Sequence, residues 1–253
     1  MTATIVFDIE TAILYDSPGY TRLEDDAFDK HKSKNKDRIE KLEREVESLK
    51  TQSAIDKRLA EIDAIKTTLI PRSRVGTAAF DPTASMICSL GYCDSDGDGK
   101  IVVLSAKDLE GEKQLLLKLV DQMEYFQELV GWNIRQFDLP FLRSRMMFHG
   151  LYLEMTNRIP RSKYDRKIID LMDLIGGDKR LSQQNACIAW GVDTPPSDTF
   201  IDGSGVQASF VQDDMKSICK HCEADVWQLT QLAEKAGILE FSKFQDVEIK
   251  RPW

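Results

Sequence analysis

Long hydrophobic runs are missing from this chain. None approaches the roughly 20 consecutive apolar residues that a membrane-crossing helix needs, so no membrane partner is expected. The N-terminus also lacks the succession of basic region, apolar stretch and small-residue cleavage site that marks a secretory leader, and an unprocessed, soluble chain is the expectation. Cysteine is sparse and odd in number: Cys88, Cys93, Cys187, Cys219 and Cys222 are scattered. That suits reduced thiols in a cytoplasmic or nucleoid-associated protein better than a disulfide framework in a secreted one. An excess of positive charge is absent as well. With 34 Lys and Arg against 42 Asp and Glu, the formal net charge is -8, which argues against a general nucleic-acid coat protein but leaves room for an enzyme with a local basic track.

What is present is enough chain, 253 residues, for one large domain or a medium domain carrying an insertion. TIVFDIE opens as a strand. From Lys34 to Leu69 the pattern becomes helical: Ile39, Leu42, Val46 and Leu49 recur at three- and four-residue steps, TQS interrupts, and Ile55, Leu59, Ile62, Ile65 and Leu69 resume before Pro71. This predicts an antiparallel helical hairpin, too short for a long coiled coil and charged on its outer faces, so a projecting arm. MICSLGYC and KIVVLS then alternate like paired strands across DSDGDG. Asp94, Asp96, Asp98 and Gly99 begin like a calcium-binding EF-hand loop, but the twelfth position is Ser105 instead of a glutamate and strands flank it where helices should, so a hairpin turn is the better reading.

Downstream, EKQLLLKLVDQMEY reads as an amphipathic helix and ELVGWN as a buried strand. FDLPFLRSRMMFHG is a helix with Pro140 near its start and Gly150 past its end, and KIIDL is a short strand with Asp170 as N-cap of LMDLIGG. LSQQNACIAWG is a helix from Ser182 to Gly191, and a last long helix runs from about Asp213 to Ala236, ended by Gly237. Three strands in a meander followed by alternating helices and strands describe an α/β fold with a mixed sheet covered on both faces. One domain is expected over residues 1–253, with residues 34–69 inserted as the arm.

Asp8 and Glu10 stand two apart on the first strand, so both carboxylates project from one face of an element that should be apolar. Like charges placed so are costly unless a cation holds them. Asp138 lies at a strand-to-helix junction, where an aspartate can serve as an N-cap. Asp225 sits mid-helix beside the apolar stripe Ile218, Cys222, Val226, Leu229 and Ala233, with His221 one turn earlier on the same face. Taken singly, the two strand acids could also mark a strand end running into solvent, and His221 with Asp225 a salt-linked pair at the surface. The basic run RIPRSKYDRK, Arg158 to Lys167, preceded by Arg135, Arg143 and Arg145, is either a phosphate track or a solvated loop.

In chain order, FDIE, NIRQFD and HCEAD resemble the three exonuclease motifs of the DEDD superfamily of 3′-5′ exonucleases. Asp8 and Glu10 match the first motif, Asp138 the second and Asp225 the third. WNIRQFDLPFLRSR, DRKIIDLMDL, the DGSGV loop and KSICKHCEADVWQL further resemble standalone exonucleases related to the proofreading domain of family B DNA polymerases. The resemblance covers most of the chain outside the arm and implies a ribonuclease H-like fold. It also implies two Mg²⁺ or Mn²⁺ ions, about 3.5–4 Å apart in such sites, bridged by Asp8. Glu10 and Asp225 would complete the site of the ion holding the attacking water, and Asp138 would act partly through water. Thr11, Asn133 and Phe137, with Arg161, Lys163 and Arg166 of the basic run, are the expected substrate contacts. The third motif departs from its family: a tyrosine four residues before the aspartate, or a histidine five before it, is usual, whereas Lys220 occupies the second position and His221 the first. A histidine there could orient or deprotonate the attacking water.

The CxxC of Cys219 and Cys222 lacks further zinc ligands and lies mid-helix, so packed core thiols are expected. The function expected is metal-dependent removal of nucleotides from the 3′ end of single-stranded DNA, with RNA as the alternative substrate. Any proofreading role would need a separate polymerase. The rival expectation is a nucleic-acid-binding or adaptor protein on the same fold, weakened in catalysis by His221, with the arm used for self-association or to hold a protein partner.

Overall fold

In the computed structural model, the residues described are 4–67, 76–94, 100–123, 126–151, 165, 167–176, 180–192 and 203–239. By internal packing the chain forms two compact units, one of residues 1–12 and 86–253, the other of residues 13–85.

The larger unit is built on a five-stranded mixed sheet in the order β3-β2-β1-β4-β5, with flanking helices. Its strands are β1 (Thr4–Ile13), β2 (Ser85–Asp94), β3 (Ile101–Ser105), β4 (Glu128–Gly131) and β5 (Ile168–Asp170). β2 and β3 are antiparallel, Gly91 facing Val103. β1 runs parallel to β4, Ile5 opposite Leu129, and β4 runs parallel to β5, Gly131 opposite Asp170. This is the mixed sheet that the element order predicts, and it agrees with the ribonuclease H-like fold that the resemblance implies. β1 is the middle strand and is buried along its length except at Asp8, which is partly exposed. A strand covered on both faces should read as a near-continuous apolar run. Ile5, Val6, Phe7 and Ile9 obey; Asp8 and Glu10 break the pattern.

The helices of this unit are α3 (Leu109–Met123), α4 (Asp138–Phe148), α5 (Leu171–Gly176), α6 (Gln183–Trp190), α7 (Val206–Val211) and α8 (Met215–Lys235). Their ends follow the sequence signals. Ser182 Oγ accepts the Asn185 N–H before α6, and Gly191 closes that helix at φ 61°. Asp214 accepts the Ser217 N–H before α8, and Gly237 follows that helix at φ 71°. The stripe Ile218, Cys222, Val226, Leu229 and Ala233 is fully buried. It reaches the sheet at Gly91, where a Cβ would stand 2.8 Å from Val226 Cγ2 and 3.0 Å from Cys222 Sγ. Glycine there lets the long helix lie directly on β2.

The smaller unit holds α1 (Pro18–Ser48) and α2 (Gln52–Thr67), followed by a 3₁₀ turn, Gly76–Phe80. Helical structure starts at Pro18, well before Lys34, where the periodicity predicts it. Ser17 Oγ accepts the Tyr20 N–H and Pro18 opens the helix, a strong start signal. The apolar stripe is weak until Ile39, which hides the first turns from a periodicity reading. Leu42 and Ile62 are buried in the hairpin, each worth roughly 1.5–3 kcal/mol on full burial. Exposed ion pairs also join the helices, Arg38 to Glu61 at 3.1 Å, Arg58 to Glu45 at 3.3 Å and Lys66 to Glu43 at 3.1 Å. Such pairs contribute little in water, so the apolar seam dominates. Where this unit begins and ends, the Leu14 N–H donates to the Ala84 carbonyl at 2.9 Å.

Candidate active site

Alternation along β1 sends Asp8 and Glu10 to the same side, as their spacing predicts, and α8 delivers His221 and Asp225 from one face of a single helical turn. His221 Nε2 is 3.4 Å from Glu10 Oε1 and 3.7 Å from Asp225 Oδ2. Ligand atoms of Glu10, His221 and Asp225 all lie within 4.8 Å of one another, and so do those of Asp8, Glu10 and Cys222. Glu10 is common to both groups. Cysteine at the second position was not foreseen as a neighbour of the acids. Cys222 is buried, its Sγ 3.9 Å from the Asp8 carbonyl oxygen, and burial with the charges of Asp8 and Glu10 pushes its thiol well above the ordinary range. A neutral thiol packed beneath the carboxylates agrees with the core role read for it. All five cysteines are free and buried.

Asp138 requires a correction. The N-cap position of α4 is Phe137, which makes no side-chain capping bond, and Asp138 is the helix's first residue. The residue is 2% exposed, and its Oδ1 has no hydrogen-bond partner among the described residues. A buried acid left so is expensive unless something outside the chain satisfies it.

Electrostatics make the same point for the whole group. Asp8 is held well above the usual carboxylate range, first by burial and then by Glu10, Asp138 and Asp225. Glu10 is raised by burial, then by Asp225 and Asp138. Burial lifts Asp138 to about 7, with Asp170 adding to it, and burial also lifts Asp225, while His221 opposes that rise. Four acids crowded together, Glu10 and Asp138 buried and Asp8 and Asp225 partly so, one with an unsatisfied oxygen, form a donor set fitted to oxygen-seeking divalent cations.

Of the expected substrate contacts, Thr11 is buried next to Glu10 on β1, and Asn133 and Phe137 lie in the β4–α4 turn that leads into Asp138. Asn133 takes a left-handed conformation, φ 55°, and its Oδ1 is buried with no hydrogen-bond partner among the described residues. The Phe137 ring packs on Phe141 at 5.6 Å. Arg161, Lys163 and Arg166 lie outside the described residues. A Cβ on Gly203 would stand 3.9 Å from His221 Nε2, so the turn Gly203–Gly205 borders the histidine.

Two of the three arginines read as a continuation of the phosphate track have other employment. Arg145 is 2% exposed; its Nε donates to Glu112 Oε1 at 2.8 Å and its Nη2 to Glu112 Oε2 at 2.6 Å. His149 Nε2 is 2.7 Å from the same Oε2, and the Ile87 N–H donates to Oε1 at 2.8 Å. Arg135 donates to the Ile168 carbonyl and faces Asp173 at 3.7 Å. Arg145 follows Asp138 by two helical turns, so its partner on α3 was invisible to spacing within one helix.

A family model described as a predicted 3′-5′ exonuclease related to the exonuclease domain of PolB matches residues 81–232. A search of curated proteins found no match. Among solved structures, the family B DNA polymerase from the hyperthermophilic archaeon Pyrobaculum calidifontis is similar to 93% of this chain, with a TM-score of 0.58 and 17% identity. The match takes in 24% of the polymerase, so this chain spans about a quarter of that protein's length, and the likeness is one of fold.

Proposed function

Since the chain belongs to the family of predicted 3′-5′ exonucleases related to the exonuclease domain of PolB, we propose that it hydrolyses phosphodiester bonds from the 3′ end of single-stranded DNA, with RNA as the alternative substrate. The observation that carries this reading is the crowding of Asp8, Glu10 and Asp225 around β1 and α8, with buried Asp138 raising the carboxyl groups of Asp8 and Glu10. These four would hold two divalent cations, Mg²⁺ or Mn²⁺. Bound there, the ions neutralise charge at the scissile phosphate and lower the pKa of an attacking water.

The chain's own part is positioning and proton handling. His221, held between Glu10 and Asp225, accepts the proton of the attacking water through Nε2. Thr11, Asn133 and Phe137 seat the terminal nucleotide, Phe137 offering a ring face to a base. Arg161, Lys163 and Arg166 track the backbone phosphates. No helix among the described residues is long and apolar enough to cross a membrane, and the buried free thiols favour a reducing, cytoplasmic setting. The hairpin arm guides substrate or mediates self-association, outside the chemistry.

The test is incubation with 5′-labelled single-stranded DNA and RNA in Mg²⁺, Mn²⁺ or EDTA. Stepwise shortening from the 3′ end, lost in EDTA and in Asp8→Ala and Asp225→Ala, is expected. Internal cleavage of a circular strand, or full activity in EDTA, overturns the proposal. Binding without cleavage under all conditions favours the adaptor role.

A further inference from the structure

Asp170 looks from the sequence like an ordinary N-cap for α5, and its Oδ1 does accept the Met172 N–H at 3.1 Å. Its other bonds reach across the sheet. Oδ1 also accepts the Asn133 N–H at 2.9 Å, and Oδ2 accepts the Arg135 N–H at 3.1 Å. The side chain is 3% exposed, at the last position of β5, opposite Gly131 at the end of β4. β4 leaves the sheet at Gly131, where a Cβ would come within 3.0 Å of the Phe7 carbonyl oxygen and 3.1 Å of Ile134.

The chain then turns with Asn133 at φ 55°. Asn133 then accepts the N–H groups of both Gln136 and Phe137 through its carbonyl, each at 3.0 Å, which starts the helix that Asp138 opens. One carboxylate thus fixes two amides of a loop only six residues long, and that loop carries Asn133, Phe137 and Asp138. Both Asp170 oxygens are used, so the loop is held in rotation as well as in place. Charge-assisted bonds of this kind are stronger than neutral ones.

We propose that Asp170 is a positioning residue that acts through the Asn133–Phe137 loop to set Asp138 for cation binding and Asn133 and Phe137 for the terminal nucleotide. The inference rests on the nuclease reading above. Groups that orient metal ligands from behind typically matter by 10–100-fold in metal affinity or activity, and misplacement of a reacting group by about 1 Å can cost about 10²-fold in rate.

Asp170→Ala removes all three bonds. Asp170→Asn keeps a carbonyl oxygen for Asn133 and Met172 but turns an N–H₂ toward the Arg135 N–H. Three readouts are made on folded protein: amide hydrogen exchange at Asn133 and Arg135, Mn²⁺ affinity by titration calorimetry, and single-turnover cleavage with the half-saturating Mn²⁺ concentration. Asp170→Ala should expose both amides to exchange, weaken Mn²⁺ binding about 10-fold or more and slow cleavage by about 10–100-fold at saturating Mn²⁺. Asp170→Asn should expose mainly Arg135 and fall between wild type and Asp170→Ala.

A purely structural role would lower the melting temperature and the active fraction while leaving Mn²⁺ affinity unmoved, and that result overturns the proposal. So does a folded Asp170→Ala whose cleavage and Mn²⁺ binding stay within about twofold of wild type, against an expected effect of tenfold or more, or, where alanine does not fold, an Asp170→Asn indistinguishable from wild type in both. If Asp170→Ala does not fold, Asp170→Asn decides. A wild-type protein that neither binds Mn²⁺ nor cleaves defeats the nuclease reading instead, a distinct outcome.

Discussion

His221 Nε2 is closer to Glu10 Oε1, at 3.4 Å, than to Asp225 Oδ2 on its own helix, at 3.7 Å. The imidazole thus spans from α8 to β1, so it senses both sides of the carboxylate group, whereas a partner of Asp225 alone would be a surface feature of one helix. Positioned acid-base groups typically contribute about 10²–10⁴-fold. His221→Ala should slow single-turnover cleavage by at least about 10²-fold, with folding intact by circular dichroism. His221→Tyr, which restores the residue more usual in the resembled family, should retain more activity than alanine. A rate for His221→Ala within about twofold of wild type, where positioned catalysis should matter far more, would falsify the catalytic role.

The raised carboxyl groups make the metal-free protein unusual in its response to pH. Unfolded aspartate and glutamate ionise near 3.9 and 4.3, while in the folded chain Asp8, Glu10 and Asp225 are raised and Asp138 lies at about 7. Between about pH 4 and 7 the native state therefore binds more protons than the unfolded one, and stability falls as pH rises through that window. In EDTA the melting temperature should be lower at pH 7.5 than at pH 5.5. Mn²⁺ at a hundred times its dissociation constant should add about 2.7 kcal/mol at pH 7.5. A metal-free melting temperature that climbs across this range contradicts the assignment.

Removing one of the repelling charges should separate stability from function. Asp8→Asn keeps the size of the side chain and takes away a charge that burial and its acidic neighbours disfavour. Without metal at pH 7.5 it should melt higher than wild type, and it should not cleave. Wild-type rates in this variant would remove Asp8 from the metal site.

At Gly91 the prediction concerns packing. A Cβ there meets Val226 and Cys222, and forcing an extra methyl into a filled core typically costs about 1–3 kcal/mol. Gly91→Ala should be destabilised by that amount in urea titration. It should also lose activity beyond its loss of stability, because the helix that must move carries His221 and Asp225. Unchanged stability would mean that α8 can move away at no cost.

Glu112 and Arg145 are a buried pair in which each partner holds the other's charge. Leaving one such charge unpaired typically costs about 3–5 kcal/mol, so Glu112→Ala should be among the most destabilising single changes, read by denaturant melting. The double variant Glu112→Leu with Arg145→Met should be less destabilised than the sum of its singles. Strict additivity would show that the two do not interact.

What could be read from the sequence was whatever a single element encodes. The two-residue step from Asp8 to Glu10 and the four-residue step from His221 to Asp225 fix which side chains share a face, and the structure brings those faces together. Helix ends at Ser182, Gly191 and Gly237 were legible because a cap acts on its own chain within a few residues. Bonds between elements were not. Asp170 reads as a local cap, yet two of its three bonds go to the loop after β4. Arg145 reads as one more exposed cation, yet Glu112 on another helix neutralises it. The capping role that Asp138 could play on its own does not hold, because the helix starts one residue earlier than a cap at 138 would require and Phe137 takes that position.

The bond from Leu14 to Ala84 also bears on how the chain finds its fold. β1 and β2 are neighbours in the sheet but are separated in sequence by the whole smaller unit, a long loop whose closure is an entropic cost the sheet would otherwise meet during pairing. The smaller unit ties its own two ends together at 2.9 Å. If it forms first, it delivers the start of β2 to the end of β1 already closed, and a distant pairing becomes a local one. In the time order of folding, lengthening the hairpin tip should then change the refolding rate far less than cutting the Leu14–Ala84 closure.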